Sequence, residues 1–288
     1  MITWRLWRDM QEPQTRHPLF RIARRVNPYA PAAHGNLYRF IGLAAILSLF
    51  LIGRFIPSEI TLVALLLVVF SPILMMVFNG TVLGLFWSVE IAMTTRRWIR
   101  NHDADLWQTI PEGALSVAWQ GVIGRLYRDE TFSSSYRIVQ GLLVAICFLM
   151  VIALLFVIGS VLQYGRPSAV KDIILTNLPV LCVGVLLYFD HIQSVMLGCL
   201  IGMYCARTPS TTMEMVVRSG VSFGIVKGLL FLLIVLLYAT MQNILLSLLG
   251  DPMGYGVSYI LLPMMYMLLH ELVLRGAYHF AENVYEGA

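Results

Sequence analysis

Long apolar runs separated by shorter polar stretches dominate the pattern of this chain. Each of six runs is long enough to cross about 30 Å of hydrocarbon as an α-helix, for which about 20 residues suffice. The runs span residues 38–56, 60–90, 138–163, 173–205, 216–249 and 257–280. They are continuous, without the period-two alternation of a transmembrane β-strand. The pattern therefore predicts an all-α polytopic membrane protein with six transmembrane helices.

The composition indicates a protein whose solvent is mostly lipid. Of the 288 residues, 58% are hydrophobic and only 12% are charged, and the mean hydropathy is +0.76. A soluble domain is typically about 45–50% apolar and about 25% charged, so an ordinary soluble enzyme and a disordered chain are both excluded. The basic residues stand beside apolar runs rather than in one solvated patch, which argues against binding of nucleic acid.

The arginines predict how the chain is oriented in the membrane. Of the 20 basic residues only Lys171 and Lys227 are lysines, and most arginines fall in polar segments on one predicted side. These arginines are Arg5, Arg8, Arg16, Arg21, Arg24, Arg25, Arg96, Arg97, Arg100, Arg125, Arg128, Arg137, Arg207 and Arg218. Because positively charged loops stay in the cytoplasm, both termini and the linker 91–137 are expected there, beneath a plasma (inner) membrane. The chain then divides into a basic N-terminal segment, 1–36, and a six-helix transmembrane domain, 37–288.

The N-terminal segment is predicted to form an amphipathic helix. One helical face holds Leu19, Ile22 and Val26, and arginines lie on the opposite face. Trp4 and Trp7 likewise alternate with arginines. Such a helix lies in the membrane interface, with the indoles among the headgroups and the arginines towards the phosphates. The alternative is a basic anchor that does no more than fix the orientation of the chain.

Two helical segments are predicted in the cytoplasmic linker. Residues 103–109 predict a short helix, which Pro111 should end because its ring disfavours helix at the preceding residue and removes a donor. A second, amphipathic helix should follow, to about Arg128. Its apolar face holds Leu115, Ala118, Trp119, Val122 and Leu126.

A short cytoplasmic helix that follows the second span and ends at Thr-x-Pro resembles the coupling region of ABC-2-type transporter permeases. In this chain the sequence Asp-Ala-Asp-Leu-Trp-Gln-Thr-Ile-Pro at 103–111 occupies that place. The six spans, the inward termini and the basic amphipathic N-terminal helix are also similar to that family. The run 190–194, which leads into Gly198 and Gly202, is a further similarity.

The resemblance implies a transmembrane permease subunit that moves a substrate when a separate P-loop ATPase subunit closes. It also implies a second copy of the chain, or a related permease, as the other half of the pathway. Trp107 would be the apolar anchor of the contact with the ATPase. The residues expected in this contact are Asp103, Asp105, Leu106, Trp107, Thr109 and Pro111. The same segment could instead be an interfacial helix that shields the ends of the second and third spans.

The sequence gives no ground for catalysis by the chain itself. It has no GxxxxGK[ST] P-loop, so it is not expected to be an enzyme, and ATP hydrolysis would reside in the partner. The cysteines form no CxxC pair, and neither a metal site nor a disulfide framework is expected. They are Cys147, Cys182, Cys199 and Cys205.

Five ionisable residues within the predicted spans are candidates for function, because charges are costly in lipid and must face protein, water or a partner. They are Asp190, His191, Lys227, His270 and Glu271. One interpretation is a buried network that pairs Asp190 with His270, or Glu271 with His191. Another is a polar lining for a substrate or proton path. Lys227 lies towards an inner end and could instead snorkel to the interface.

The two histidines leave a different class of function open. Two imidazoles within the membrane could be the axial ligands of a b-type haem. The chain would then be a non-transporting membrane anchor or scaffold subunit of a larger redox complex. No other cofactor is expected.

Glycines at a spacing of four are expected to form helix–helix contacts. Small residues one turn apart let two helix backbones approach closely. The candidates are Gly80 and Gly84 in the second run, Gly198 and Gly202 in the fourth, and Gly220, Gly224 and Gly228 in the fifth. The longer set is the best candidate for a tight contact, either within the molecule or with another subunit.

Overall fold

The structure, a computed structural model, describes seven α-helices. It covers residues 2–13, 17–25, 79–101, 113–128, 167–208, 211–251 and 253–286, and the single positions 132, 137, 140, 141, 144, 148, 151 and 155. The helices are α1 (Ile2–Gln11), α2 (Pro18–Arg25), α3 (Asn79–Arg100), α4 (Ala114–Arg128), α5 (Pro167–Arg207), α6 (Thr212–Leu249) and α7 (Met253–Glu286). By its contacts the chain forms two compact units, residues 25–79 and the remainder, and nearly all described residues belong to the second.

Three helices are long and apolar enough to cross a membrane. They are Leu181–Arg207 within α5, Thr212–Leu249 and Met253–Glu286. These helices confirm the last three predicted spans as long apolar helices, and each continues beyond the predicted bounds. The predicted span 38–56 and most of the spans 60–90 and 138–163 lie outside the described residues.

The described positions of the third predicted span are nevertheless informative. All of them from Gln140 to Leu155 are helical. Four apolar side chains among them, at spacings of four and three, are more than half exposed: Val144, Phe148, Val151 and Leu155. An apolar stripe of this period on an outer surface suits contact with lipid.

The ends of α6 follow directly from its sequence. Thr211 is the N-cap, and its hydroxyl accepts a hydrogen bond of 3.2 Å from the backbone N–H of Glu214. Such a bond satisfies one of the donors that the first turn of a helix leaves unpaired. Gly250 ends the helix with φ of 66°, and its N–H donates to the carbonyl of Leu246. Glycine adopts this backbone conformation without a steric penalty.

α4 confirms the second helix predicted for the linker, but its surroundings differ from the prediction. Eleven of its fifteen residues are buried, including Gln120 and Gly121, which lie off the predicted apolar face. The hydrophobic core contains residues from all seven described helices, and α4 contributes Leu115, Trp119 and Val122 to it. The linker helix is therefore enclosed by protein on most sides rather than amphipathic with one wet face.

The N-terminal segment forms two short helices, and the predicted apolar face of α2 is confirmed only in part, because Leu19 packs against the core but Ile22 does not. Phe20 and Ala23 are buried, whereas Ile22 is 51% exposed. The reason is close packing on α4, where a β-carbon at Gly124 would lie 2.8 Å from the carbonyl oxygen of Phe20. Val26 lies outside the described residues. α1 likewise buries Leu6, Trp7 and Met10 in the core, so both helices belong to the folded body.

The tightest helix crossing in the described structure joins α3 to α5. A β-carbon at Gly84 would lie 2.5 Å from the carbonyl oxygen of Ser194, and one at Gly202 would lie 2.5 Å from that of Ser88. A β-carbon at Gly198 would overlap the backbone of Gly84. Small residues at a spacing of four on both helices thus bring the two backbones together.

The predicted glycine stripe of α6 makes no tight helix–helix contact among the described residues. A β-carbon at Gly220 would meet Leu85 and Val89 of α3 at 3.7 Å, an ordinary van der Waals distance. At Gly224 and Gly228 it would meet no atom of the described residues within 4 Å. The buried face of α6 carries a neighbouring stripe instead: Met215, Ser219, Phe223, Lys227, Leu230 and Ile234.

Candidate functional site

A cluster of buried polar side chains joins the three candidate spans. α5 contributes Asp190 and Ser194, which lie one turn apart and therefore on the same helical face. α7 contributes Tyr266 and His270 at the same spacing, and α6 contributes Lys227. All five are buried, and Lys227 is only 1% exposed. We call these five residues the charged cluster.

The ammonium group of Lys227 is the centre of the charged cluster. Its Nζ donates to Asp190 Oδ1 at 2.5 Å, to Ser194 Oγ at 2.6 Å and to Tyr266 Oη at 2.8 Å. His270 Nε2 lies 3.0 Å from the same nitrogen. The hydroxyl groups of Tyr266 and Ser194 in turn donate to Asp190 Oδ1. One carboxylate and one ammonium thus share a closed set of hydrogen bonds across three helices.

The geometry also specifies the protonation of His270. Its Nε2 faces an ammonium, so this nitrogen carries no proton and the ring is neutral; the three N–H donors of Lys227 are shared among four acceptors. A protonated ring would place two positive charges about 3 Å apart in a medium of low dielectric constant, which is strongly unfavourable. The other ring nitrogen, Nδ1, is buried and has no hydrogen-bond partner among the described residues. The charged cluster therefore carries one positive and one negative charge, and its net charge is zero.

Apolar and aromatic groups close the site around Lys227. Its Nζ lies 5.0 Å from the centroid of the Phe231 ring and 5.5 Å from that of Tyr266. A small apolar cluster of Leu230, Ile234 and Tyr266 packs alongside. A buried ion pair repays its desolvation only when further hydrogen bonds satisfy its polar groups, and Ser194 and Tyr266 supply such bonds to Asp190 Oδ1. Lys227 is thus fully enclosed and does not snorkel.

Some of the pairs proposed from the sequence differ from those in the structure. Asp190 and His270 do belong to one cluster, but Lys227 lies between them as the shared partner. His191 is buried, and its backbone lies against Gly80 of α3. Glu271 takes no part in the charged cluster.

Ser194 and Tyr266 are site residues that the sequence reasoning missed. A signal was available, because Ser194 is four residues after Asp190 and Tyr266 four residues before His270. Residues at this spacing share a helix face. Because serine and tyrosine are tolerated at many positions in membrane helices, the residue type alone does not mark either position.

Glu271 holds the beginning of α1. Its carboxylate accepts hydrogen bonds from the backbone N–H groups of Ile2, at 2.5 Å, and Thr3, at 3.1 Å. The hydroxyl of Thr3 also donates to it, and Arg275 Nε lies 3.3 Å away. Since the first N–H groups of a helix have no partner within the helix, a carboxylate from α7 here takes the place of an N-cap residue.

Arginine side chains make hydrogen bonds and a cation–π contact near the C-terminal end of α5. Arg96 of α3 donates to the carbonyl of Ala206 at 3.5 Å, and the guanidinium of Arg207 stacks 4.4 Å from the ring centroid of Tyr285. Arg218 donates to Thr208 at 2.9 Å. Positive side chains are favourable at this end of a helix, where backbone carbonyls carry partial negative charge.

The residues proposed to contact an ATPase are not covered by the described structure. Asp103, Asp105, Leu106, Trp107, Thr109 and Pro111 all lie outside the described residues. Both flanks are described, however. α3 ends with exposed Arg97 and Arg100, and Gly113, with φ of 86°, precedes α4. The segment thus emerges from one packed helix and re-enters another.

The surroundings of His270 do not suit an axial ligand of haem. Bis-imidazole ligation needs one nitrogen of each ring to face the iron from opposite sides. His270 Nε2 faces Lys227 instead, and its ring centroid lies 5.6 Å from that of Tyr266. Within the described residues, no three His, Cys, Asp or Glu side chains are grouped as a metal site.

A Gly-x-Ser-x-Gly sequence occurs at 220–224 but has no catalytic geometry. It lies within the continuous helix α6. In hydrolases this motif works because a sharp turn between a strand and a helix exposes the serine.

Comparison of the chain with protein-family models, with curated proteins and with solved structures finds no match.

Proposed function

We propose that this chain is the transmembrane permease subunit of an ABC-type transporter and that it moves its substrate when a separate P-loop ATPase subunit closes. The observation that carries the proposal is the burial of α4 immediately after the segment 102–112. Two further features support it. Three described helices are suited to crossing a membrane, and the sequence 103–111 resembles the coupling region of ABC-2-type permeases.

The burial of α4 supplies a mechanical path from the segment to the spans. Trp119 and Val122 of α4 share one core with Leu200 of α5 and Leu274 of α7. Protein interiors are close-packed and have low compressibility, so they transmit a displacement from one helix to the next. A push on the segment 102–112 would therefore move α4 and the attached spans as a rigid body.

The charged cluster has a supporting role in this proposal. Its five side chains join α5, α6 and α7 across the protein interior, and each is buried. We infer that the cluster makes these helices move together and does not line a path for the substrate. Strong hydrogen bonds to charged groups in a low-dielectric interior suit this role.

The partner contact proposed here is an insertion of the segment 103–111 into the ATPase. Trp107 would be the apolar anchor, and Asp103 and Asp105 would pair with basic groups of the partner. Leu106 and Thr109 would take part in the same contact, and Pro111 would end the helix. A second copy of the chain, or a related permease, would complete the pathway, and all ATP hydrolysis would belong to the partner.

Co-purification tests the proposal. The tagged chain, isolated in mild detergent from its own host, is expected to bring a P-loop ATPase with it, measured as ATPase activity and by mass spectrometry. Trp107→Ala combined with Asp105→Ala should lower the bound ATPase by about tenfold, as loss of an anchor worth about 1.4 kcal/mol or more predicts. The variant should remain monodisperse, because the spans are untouched.

Trp4→Ala is the matched control, since Trp4 is 66% exposed and belongs to a different helix. It should leave the bound ATPase unchanged. Recovery of the wild-type chain without any P-loop ATPase, but with redox subunits, would contradict the proposal and favour a scaffold subunit. Equal ATPase binding by the wild type and the double variant would refute the role of 103–111.

A further inference from the structure

The outer face of α1 combines an exposed indole with exposed guanidinium groups. α1 buries Leu6, Trp7 and Met10. At 100° per residue, the opposite side of the helix carries Trp4, Arg5 and Arg8, and all three are exposed. Trp4 is 66% exposed, which is unusual for so large an aromatic side chain. We call these three residues the α1 outer face.

The attachment of α1 to Glu271 indicates the depth of this face. Glu271 lies 18 residues after Met253, the first residue of α7. At 1.5 Å per residue this is about 27 Å along the helix, close to the hydrocarbon thickness of about 30 Å. Ile2 and Thr3 are bound to Glu271. With α7 taken to enter the hydrocarbon at Met253, Trp4 lies near the level at which the hydrocarbon gives way to the headgroups.

α2 presents similar chemistry beside it. Its buried side chains Phe20 and Ala23 face the core, while Ile22 is 51% exposed and Arg21 is exposed as well. An apolar or aromatic group that alternates with arginine on an outer surface is typical of helices bound at a membrane surface. The core therefore fixes both helices with this surface turned outwards.

We propose that the α1 outer face binds the headgroups of anionic phospholipids in the leaflet nearest to Glu271. Guanidinium groups bind phosphate oxygens through paired, charge-assisted hydrogen bonds. Indole rings prefer the boundary between acyl chains and headgroups. Anionic lipid adds an attraction that a zwitterionic headgroup lacks. The inference does not depend on the proposed transport function.

Brominated lipids test the inference, because bromine quenches tryptophan fluorescence only at close range. The full chain is reconstituted in vesicles of phosphatidylcholine and phosphatidylglycerol of one fixed composition. In one preparation the phosphatidylglycerol carries bromine on its acyl chains near the headgroup, and in the other an equal mole fraction of phosphatidylcholine does. The tryptophan fluorescence of the Trp4→Phe variant is subtracted from that of the wild type, and the difference is the fluorescence of Trp4. Trp119→Phe, which alters an indole buried in α4, is the control for the subtraction.

We expect brominated phosphatidylglycerol to quench the Trp4 signal about twice as strongly as brominated phosphatidylcholine. Arg5→Gln with Arg8→Gln should abolish this preference. Arg97→Gln with Arg100→Gln, which removes the same charge from the exposed end of α3, should retain it. Equal quenching by the two lipids, or equal loss of the preference in both double variants, would overturn the proposal. Absence of quenching by either lipid would show that the face does not contact lipid, and would overturn it too.

Discussion

Lys227 shows most clearly how one residue organises the described structure. A lysine in an apolar helix carries a large desolvation cost unless its charge is paired. Here a carboxylate, two hydroxyls and an imidazole surround the ammonium at 2.5 to 3.0 Å. The stability of the three-helix contact therefore depends on the completeness of this set.

Removal of Lys227 should be strongly destabilising. Lys227→Met leaves the carboxylate of Asp190 buried and uncompensated, and should lower the free energy of unfolding by about 3–5 kcal/mol. The double variant Lys227→Met/Asp190→Leu should recover much of this loss, because an apolar pair needs no compensation. Denaturant unfolding in mixed micelles measures the free energy of unfolding of both variants.

Arg125→Met is the control for this prediction. Its partner is Glu90, at 2.5 Å, and both side chains are partly exposed. A pair that keeps some contact with solvent should cost less to break than a fully buried one. If Lys227→Met cost no more than Arg125→Met, Lys227 would not be buried as described.

Asp9 gives the α1 contact a defined dependence on pH. Burial raises the pKa of the Asp9 carboxyl above its ordinary value of 3.8, while Arg5 and Arg8 oppose the shift. An acid with a raised pKa in the folded state favours folding at low pH, and this contribution is lost as the pH rises through the folded value. Asp9→Asn should therefore raise the unfolding temperature at pH 7, and the gap to the wild type should narrow as the pH falls towards 4. A constant gap would be evidence against the burial of Asp9.

The composition of the site was partly predictable from the sequence, whereas its pairing was not. Asp190, Lys227 and His270 stand out as ionisable residues in apolar runs, and the cost of charge in lipid predicts that they face protein. Which of them meet depends on how each helix is rotated about its axis. That rotation is set by contacts between residues about 40 positions apart, which no local pattern reports.

Among the helices, α3 and α5 are held closest, and two glycine variants test this crossing. Gly198→Ala would drive a methyl group into the backbone of Gly84, and overpacking of this kind costs about 1–3 kcal/mol. Gly224→Ala meets no described atom and should be neutral or stabilising by up to about 1 kcal/mol, because alanine favours helix more than glycine does. Thermal unfolding in detergent compares the two variants. The reverse order would contradict the described crossing.

A second variant tests the attachment of α1. Glu271→Ala removes the acceptor of two helix N–H groups, and the loss of a capping side chain costs about 0.5–2 kcal/mol. Hydrogen exchange in residues 2–11 should accelerate by about tenfold, while exchange in α5 stays unchanged. Arg275→Ala, which leaves the carboxylate in place, should have a much smaller effect. Unchanged exchange in α1 would show that Glu271 does not hold the helix.

The glycine stripes show what the sequence leaves undecided about helix faces. Spacing alone selects Gly220, Gly224 and Gly228 as readily as Gly198 and Gly202. The buried face of α6 is instead the stripe that includes Phe223, Lys227 and Leu230. To identify this buried face from the sequence alone, one would have to assume that Lys227 is buried. Only the hydrogen-bond partners of Lys227 in the structure justify that assumption.

At the scale of the whole molecule, the part of the chain that the structure describes is all-α, and the last three long apolar helices are confirmed. The burial of α4 was not predictable, because a helix enclosed by α1, α2, α3 and α7 looks amphipathic until its neighbours are known. This enclosed linker helix links the segment 102–112 to the spans. The transport proposal therefore depends on that segment lying on the cytoplasmic side.

Accessibility of position 107 is the most direct test. In a chain whose cysteines are replaced by serine or alanine, Trp107→Cys and Asp251→Cys are compared with a membrane-impermeant maleimide. Asp251 lies in the exposed turn between α6 and α7, on the predicted outer side. In intact cells the reagent should label Asp251→Cys and not Trp107→Cys, and permeabilised cells should label both. Labelling of Trp107→Cys in intact cells would contradict the orientation, and docking of an ATPase at this segment would be impossible.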